Sequence, residues 1–207
     1  MPPTPGSTRR GWARSWPPST VYQPLTSARS TRGITNRLAP IAGTIWSSSF
    51  LRRERRSLAG LRDELVALES WIEPPERLQT CHRDLWADNV LPTADGGVCV
   101  IDWENSGPAD PSQELGCVLF EFARADPGRG RALADAYQQA GGPAAVTRRG
   151  HFSMLIAQLG HITEIAATDW LKPNPRSPER ADSAAWIGEV LGEPHTRELL
   201  DTILEAL

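Results

Sequence analysis

Residues 82–89 read His82-Arg83-Asp84-Leu85-Trp86-Ala87-Asp88-Asn89, and their side chains carry the most chemistry in the chain. A carboxylate such as Asp84 can accept or orient the proton of an attacking hydroxyl. Asn89 stands five residues on. Asp102 ends the apolar run Val98-Cys99-Val100-Ile101. Both offer the hard oxygen atoms that magnesium prefers. A base beside oxygen ligands for magnesium is what phosphoryl transfer to a hydroxyl asks for. His82 is expected to brace the loop through hydrogen bonds rather than take part in the chemistry. Asp88 reads as a loop or helix-cap residue, with assistance to the metal site as the other reading.

Such a loop needs rigid elements around it. Upstream, Leu58, Leu61, Leu65, Leu68 and Ile72 follow steps of three and four, one face of an amphipathic helix that Pro74-Pro75 ends. Downstream, Val90-Leu91 and Val98–Ile101 flank Ala94-Asp95-Gly96-Gly97, a β-hairpin pattern. A helix then runs from about Ser112 with Leu115, Val118, Leu119 and Phe122 on one side, closed by Asp126-Pro127-Gly128. Further helices are expected at about 129–140, 148–170, 178–191 and 196–207. Of these helices, the one expected at 148–170 turns Phe152, Leu155, Ile156, Leu159, Ile162 and Ala166 inward. The last of them opens at Thr196, a residue suited to capping, and buries Leu199, Leu200, Ile203 and Leu204. The expected fold class is mainly α with a short β-hairpin, that is, α+β.

The chain has 207 residues, 40% of them hydrophobic, enough for one domain with a core. Its charge is uneven. Residues 1–53 hold eight Arg and no Asp or Glu, whereas residues 54–207 hold 14 basic and 25 acidic residues. An acidic body argues against nucleic acid as the main ligand and favours a cationic small molecule. Residues 1–51, rich in Pro, Ser and Arg, read as disordered or non-native. No apolar run approaches the ~18 residues of a membrane span. Nor is a signal-peptide core visible, so the expected compartment is cytoplasmic. The three cysteines, Cys81, Cys99 and Cys117, form no C-x-x-C pair and are expected to be small buried hydrophobes.

The octapeptide matches the catalytic-loop pattern of the kinase fold, H-R-D-L-x-x-x-N. More specifically, the chain resembles the C-terminal lobe of the aminoglycoside phosphotransferase and choline-kinase-like family over about residues 52–207. That family has His-x-Asp-x-x-x-x-Asn followed by Ile-Asp-Trp-Glu or Ile-Asp-Phe-Glu, and this chain has Ile101-Asp102-Trp103-Glu104. Protein kinases have Asp-Phe-Gly at that point, so the resemblance implies a small-molecule acceptor. It also implies magnesium and ATP, or GTP, with Asp84 as base, Asn89 and Asp102 as metal and cofactor ligands, and residues 129–207 as a helical substrate subdomain. Gly107-Pro108-Ala109-Asp110-Pro111 and Glu114-Leu115-Gly116 fit the family's following turn loosely. The usual residue at the helix opening is Asp, so Glu114 departs from the pattern. The resemblance gives Glu114 a supporting role, accepting hydrogen bonds from the loop.

A complete member of the family has an N-terminal lobe with a phosphate-covering loop and a lysine on the α- and β-phosphates. Nothing upstream of His82 supplies either, and the single lysine is Lys172. The chain is therefore expected to be truncated and weakly active or inactive alone, with an exposed docking face where the N-lobe would sit. The alternatives are a non-catalytic remnant that binds a small molecule or protein, and a lobe supplied in trans. Glu164 and Asp169 fall where the family places acidic residues toward an acceptor, although solvated helix charges are the plainer reading. Trp86 stacks on a substrate ring or packs beneath the loop. Trp170 and Trp186 read as core, the Arg52–Arg56 cluster as a solvated helix start, and His151 and His161 stand too far around a helix to share a metal.

Overall fold

Leucines at three- and four-residue steps build the first helix, α1 (Arg52–Glu69), and bury Leu61, Leu65 and Leu68. The computed structural model describes residues 52–124, 126–170, 178–192 and 194–207. Segment 1–51 and Lys172 lie outside the described residues, as do the side chains of Leu58, Trp170 and the Arg52–Arg56 cluster. The helix stops at Glu69, five residues before Pro74, and Trp71 and Ile72 continue its apolar face beyond the last turn.

Four short strands follow, β1 (Gln79–Cys81), β2 (Val90–Pro92), β3 (Val98–Val100) and β4 (Gly107–Ala109). The expected hairpin is β2 with β3, in antiparallel register Val90 to Val100 and Pro92 to Val98. Its turn closes with the Thr93 N–H donating to the Gly97 carbonyl at 3.0 Å. Gly96 takes the left-handed backbone (φ 84°), which costs glycine little. The second pair, β1 with β4, runs Gln79 to Ala109 and Cys81 to Gly107, and it brings the two ends of the site segment together.

Helix α2 (Pro111–Ala123) starts cleanly. Asp110 Oδ1 accepts from the Ser112 N–H at 2.9 Å, and Pro111 occupies the first turn where no donor is needed. The other carboxylate oxygen of Asp110 takes the N–H groups of Glu76 and Arg77 at 2.7 and 3.3 Å, tying the approach to β1 to the start of α2. Asp126-Pro127-Gly128 does more than close α2. Asp126 caps the next helix, α3 (Pro127–Gln139), by accepting from the Gly128 N–H, because a capping side chain followed by Pro is an opening signal.

The long helix expected over 148–170 is divided into a 3₁₀ turn (Arg149–Phe152) and α4 (Ser153–Trp170). His151 Nδ1 accepts from the Thr147 N–H at 3.1 Å, and the Ser153 hydroxyl accepts from the Glu73 N–H at 2.9 Å, so local side-chain bonds replace a regular first turn. Gly116 permits this packing: a Cβ there would run into the His151 carbonyl oxygen. Helices α5 (Pro178–Gly192) and α6 (Arg197–Ala206) complete the body, and Thr196 caps α6 by accepting from the Leu199 N–H. The core runs through α1, α2, α4, α5 and α6, with Leu68, Leu119, Phe152, Leu155, Leu200 and Ile203 fully buried. Trp186 is core as well, its indole N–H donating to Thr163 at 3.4 Å. Among the described residues the fold is thus mostly helical with two small antiparallel strand pairs, an α+β arrangement. Among the described residues no helix is long and apolar enough to cross a membrane.

Candidate active site

The site segment is held in an unusual backbone shape at two points. Arg83 has φ 68° and Asp102 has φ 67°, both left-handed and neither glycine. Each such residue costs roughly 1–2 kcal/mol, so surrounding contacts must hold it there. At Arg83 those contacts come from two helices. Glu114 Oε1, one turn into α2, accepts the Arg83 N–H at 2.5 Å. Gln158 Nε2, on α4, donates to the Arg83 carbonyl at 2.7 Å.

Asp84 follows directly. Asn89 is buried, and its Nδ2 donates to the Asp84 carbonyl at 2.7 Å while lying 3.5 Å from Asp84 Oδ2. The Trp86 N–H also reaches the Asp84 carbonyl at 3.1 Å, and the Asn89 N–H reaches the Trp86 carbonyl at 3.0 Å, closing a 3₁₀ turn over Ala87–Asn89. The hairpin is sewn to this turn by the Ile101 N–H donating to the Asn89 carbonyl at 3.0 Å. Asp84 and Asp102 thereby become electrostatic neighbours although 18 residues separate them. Burial holds the Asp84 carboxyl above the ordinary carboxylate range, and the nearby Asp102 charge raises it further; hydrogen bonding with Asn105 and Trp86 works the other way.

His82 is buried and sits behind the loop. Its Nε2–H donates to the Ile101 carbonyl at 2.8 Å, which fixes the tautomer and supports the backbone just ahead of Asp102. The Trp103 ring meets the His82 ring edge-on, with centroids 4.6 Å apart, and its indole N–H donates to the Val100 carbonyl at 2.9 Å. Trp86 is half-buried and packs against the hydrophobic core.

Asp88 is exposed in the first turn of the 3₁₀ segment. Glu164 and Asp169, both half-buried, lie farther along α4 than Gln158. His161 Nδ1 lies 4.0 Å from a carboxylate oxygen of Glu164. Among the described residues no group of three or more His, Cys, Asp or Glu side chains gathers as a metal cage.

The cysteines divide. Cys81 and Cys117 are buried, but Cys99 is exposed on the outer hairpin strand, against the expectation of three buried thiols. A three-residue strand with solvent on both faces has no interior in which to place it. Burial, with the Glu114 charge adding, pushes the Cys81 thiol up to about 12.

Two residues escaped the sequence reading. Glu121 lies two turns along α2 from Glu114, on the same face, and its Oε1 accepts from the Ala87 N–H of the loop at 3.4 Å. That seven-residue spacing of acids could have shown it. Gln158 could have been noticed as a polar residue within an otherwise apolar helix run.

The chain belongs to the phosphotransferase enzyme family, whose model matches residues 34–152, more than half of its length. The match starts before residue 52 and stops before the last helices, so it differs at both ends from the span of about 52–207 drawn from motifs. Thiamine kinases of Salmonella heidelberg (strain SL476) and Salmonella typhimurium are each 38% identical to this chain over 101 residues. One of Salmonella paratyphi B is 37% identical over the same length. The matched segment is 48% of this chain and 34% of each relative, so it spans about a third of the length of these curated proteins. No solved structure matches.

Proposed function

We propose that this chain carries the acceptor-side lobe of a small-molecule kinase of the kinase-like fold, moving the γ-phosphoryl of ATP, or of GTP, to a hydroxyl. The observation that carries the reading is the joining of Asp84, Asn89 and Asp102: Asn89 is bonded to Asp84, and the Asp102 charge is close enough to raise the Asp84 carboxyl.

Asp84 is the base in this reading. Its raised proton affinity makes it a stronger acceptor for a hydroxyl proton than a free carboxylate, and Asn89 and the Trp86 N–H fix the backbone from which it projects. Asn89 and Asp102 would hold magnesium. The residues fit that ion: two mutually repelling carboxylates lie beside an amide whose nitrogen is used on Asp84, leaving its oxygen as the ligand atom. Few protein ligands are needed, because magnesium is commonly held by one or two carboxylates together with substrate phosphates. When bound, the ion would neutralise charge on the phosphate oxygens. His82 and Glu114 support the loop from behind and below.

The acceptor class that fits best is a cationic small molecule bearing a hydroxyl. Residues 54–207 carry 25 acidic against 14 basic residues, and the curated relatives are named for thiamine, a cation with a primary alcohol. Glu164 and Asp169 are the α4 carboxylates proposed to face the positive charge. The exposed apolar residues Leu91, Val98, Ile101 and Trp103 on and beside the hairpin are proposed as the surface on which the nucleotide-side lobe rests.

The test is phosphoryl transfer by the chain from labelled ATP with magnesium, to thiamine and to a panel of amino alcohols and aminoglycosides. Asp84→Asn and Asp102→Asn should each lower turnover by about 100-fold or more. If the chain alone turns over too slowly to measure, magnesium-dependent nucleotide binding that is lost in Asp102→Asn takes its place. Undiminished turnover or binding in these variants overturns the assignment.

A further inference from the structure

A polar side chain on the inward side of an apolar helix is costly unless it is bonded, and Gln158 is bonded at both ends of its amide. It lies on α4 among the buried residues Leu155, Ile156 and Leu159. Its Nε2 donates to the Arg83 carbonyl at 2.7 Å, and its Oε1 accepts from the Cys117 thiol at 3.6 Å. Chemistry fixes this orientation, since a carbonyl only accepts and the thiol is the donor available. Burial holds the Cys117 thiol well above its usual range, so it remains protonated and remains a donor.

The bonded carbonyl shares a rigid peptide plane with the N–H of Asp84. Turning that plane turns the residue that follows it. Arg83 is left-handed, a conformation with no preference of its own to keep the plane in place. Its N–H is taken by Glu114 from one helix and its carbonyl by Gln158 from another. The two helices therefore grip one residue from opposite sides of its α-carbon.

We infer that Gln158 is a positioning residue for Asp84, setting the peptide plane from which the base projects, with Cys117 setting the direction of the amide. The inference rests on the reading of Asp84 as the base. Gln158 touches neither Asp84's carboxylate nor any proposed ligand oxygen, so its effect runs through the backbone.

Two measurements on the full chain test it. Gln158→Met keeps the length and loses the donor. Its kcat should fall roughly tenfold to a hundredfold, the scale of a small misplacement of a reacting group. KM for nucleotide and acceptor should stay within about twofold, because binding is untouched. Amide hydrogen exchange over residues 82–89 should speed by about tenfold in the same variant while exchange in 153–170 is unchanged. Cys117→Ala, which removes the donor toward the amide oxygen, should speed loop exchange in the same direction by a smaller factor. An unchanged kcat with unchanged loop exchange overturns the inference. So does exchange that rises equally along α4, which would mark Gln158 as a packing residue. If the native chain transfers no phosphoryl to any acceptor, the reading of the site fails, and loop exchange in Gln158→Met still decides the clamp.

Discussion

The segment from β1 to β4 and the helices beneath it are built on different terms. The helical body buries Phe152, Leu155, Leu119 and Leu200 to zero exposure. The strand segment has four strands of three residues, two left-handed residues that are not glycine, and Val98 and Trp103 exposed at 69% and 55%. Two-stranded pairs of that length are marginal by themselves. The comparison teaches that the site's shape is imposed from below. Glu114, Glu121 and Gln158 reach up from α2 and α4 to the loop backbone, and Asp110 ties the approach to β1 to the helix that carries two of them.

If the body holds the stability and the strand segment holds the chemistry, substitutions in the two should separate. The largest stability effect is expected from Leu155→Ala in α4, a loss of about 2–5 kcal/mol from lost burial and the cavity left behind, read by denaturant unfolding. A loss under about 1 kcal/mol would mean that the body is not the principal store of stability.

His195 offers a pH-dependent version of the same test. It is buried at the entry to α6, its Nε2 has no hydrogen-bond partner among the described residues, and burial lowers its pKa to about 4. The unfolded chain takes up this proton near pH 6.5, as an ordinary histidine does. Stability is therefore full above about pH 6.5 and falls as pH drops toward 4, by about 3 kcal/mol from this group. Unfolding curves at pH 7 and 4.5 should converge in His195→Leu relative to the native chain; an undiminished gap would assign the acid sensitivity elsewhere.

Asp110→Ala removes a helix cap and two further acceptor bonds, and should cost about 1–2 kcal/mol. It also tests the tie between the regions: exchange at Glu76 and Arg77 should accelerate, and an unchanged rate there would cut the tie. The smallest effect is expected from Val98→Thr on the hairpin, within about 0.5 kcal/mol by the same unfolding assay. A larger loss would show that the exposed strand is covered by something in solution.

The sequence was legible where periodicity or a capping residue marked an element. The helices expected at about 129–140 and 178–191 are present as Pro127–Gln139 and Pro178–Gly192, and the cap expected at Thr196 accepts a free N–H of α6. The β2–β3 hairpin was legible because Asp95-Gly96 announces a turn. The β1–β4 pair was not, since three residues such as Gly107-Pro108-Ala109 carry no alternation and their partner lies 28 positions away. In the site, motif spacing singles out Asp84, Asn89 and Asp102, but the left-handed backbone at Arg83 and Asp102 is a property of tertiary contacts. Gln158 lies 75 residues from the carbonyl it holds, a relation that no local pattern records.

Cys99 gives the molecule a handle. Of its three thiols, two are sealed in the interior and one stands on the hairpin beside the loop of Asp84 and Asn89. A maleimide-linked fluorophore would attach there without cysteine replacement, and its emission would report in real time what approaches that edge.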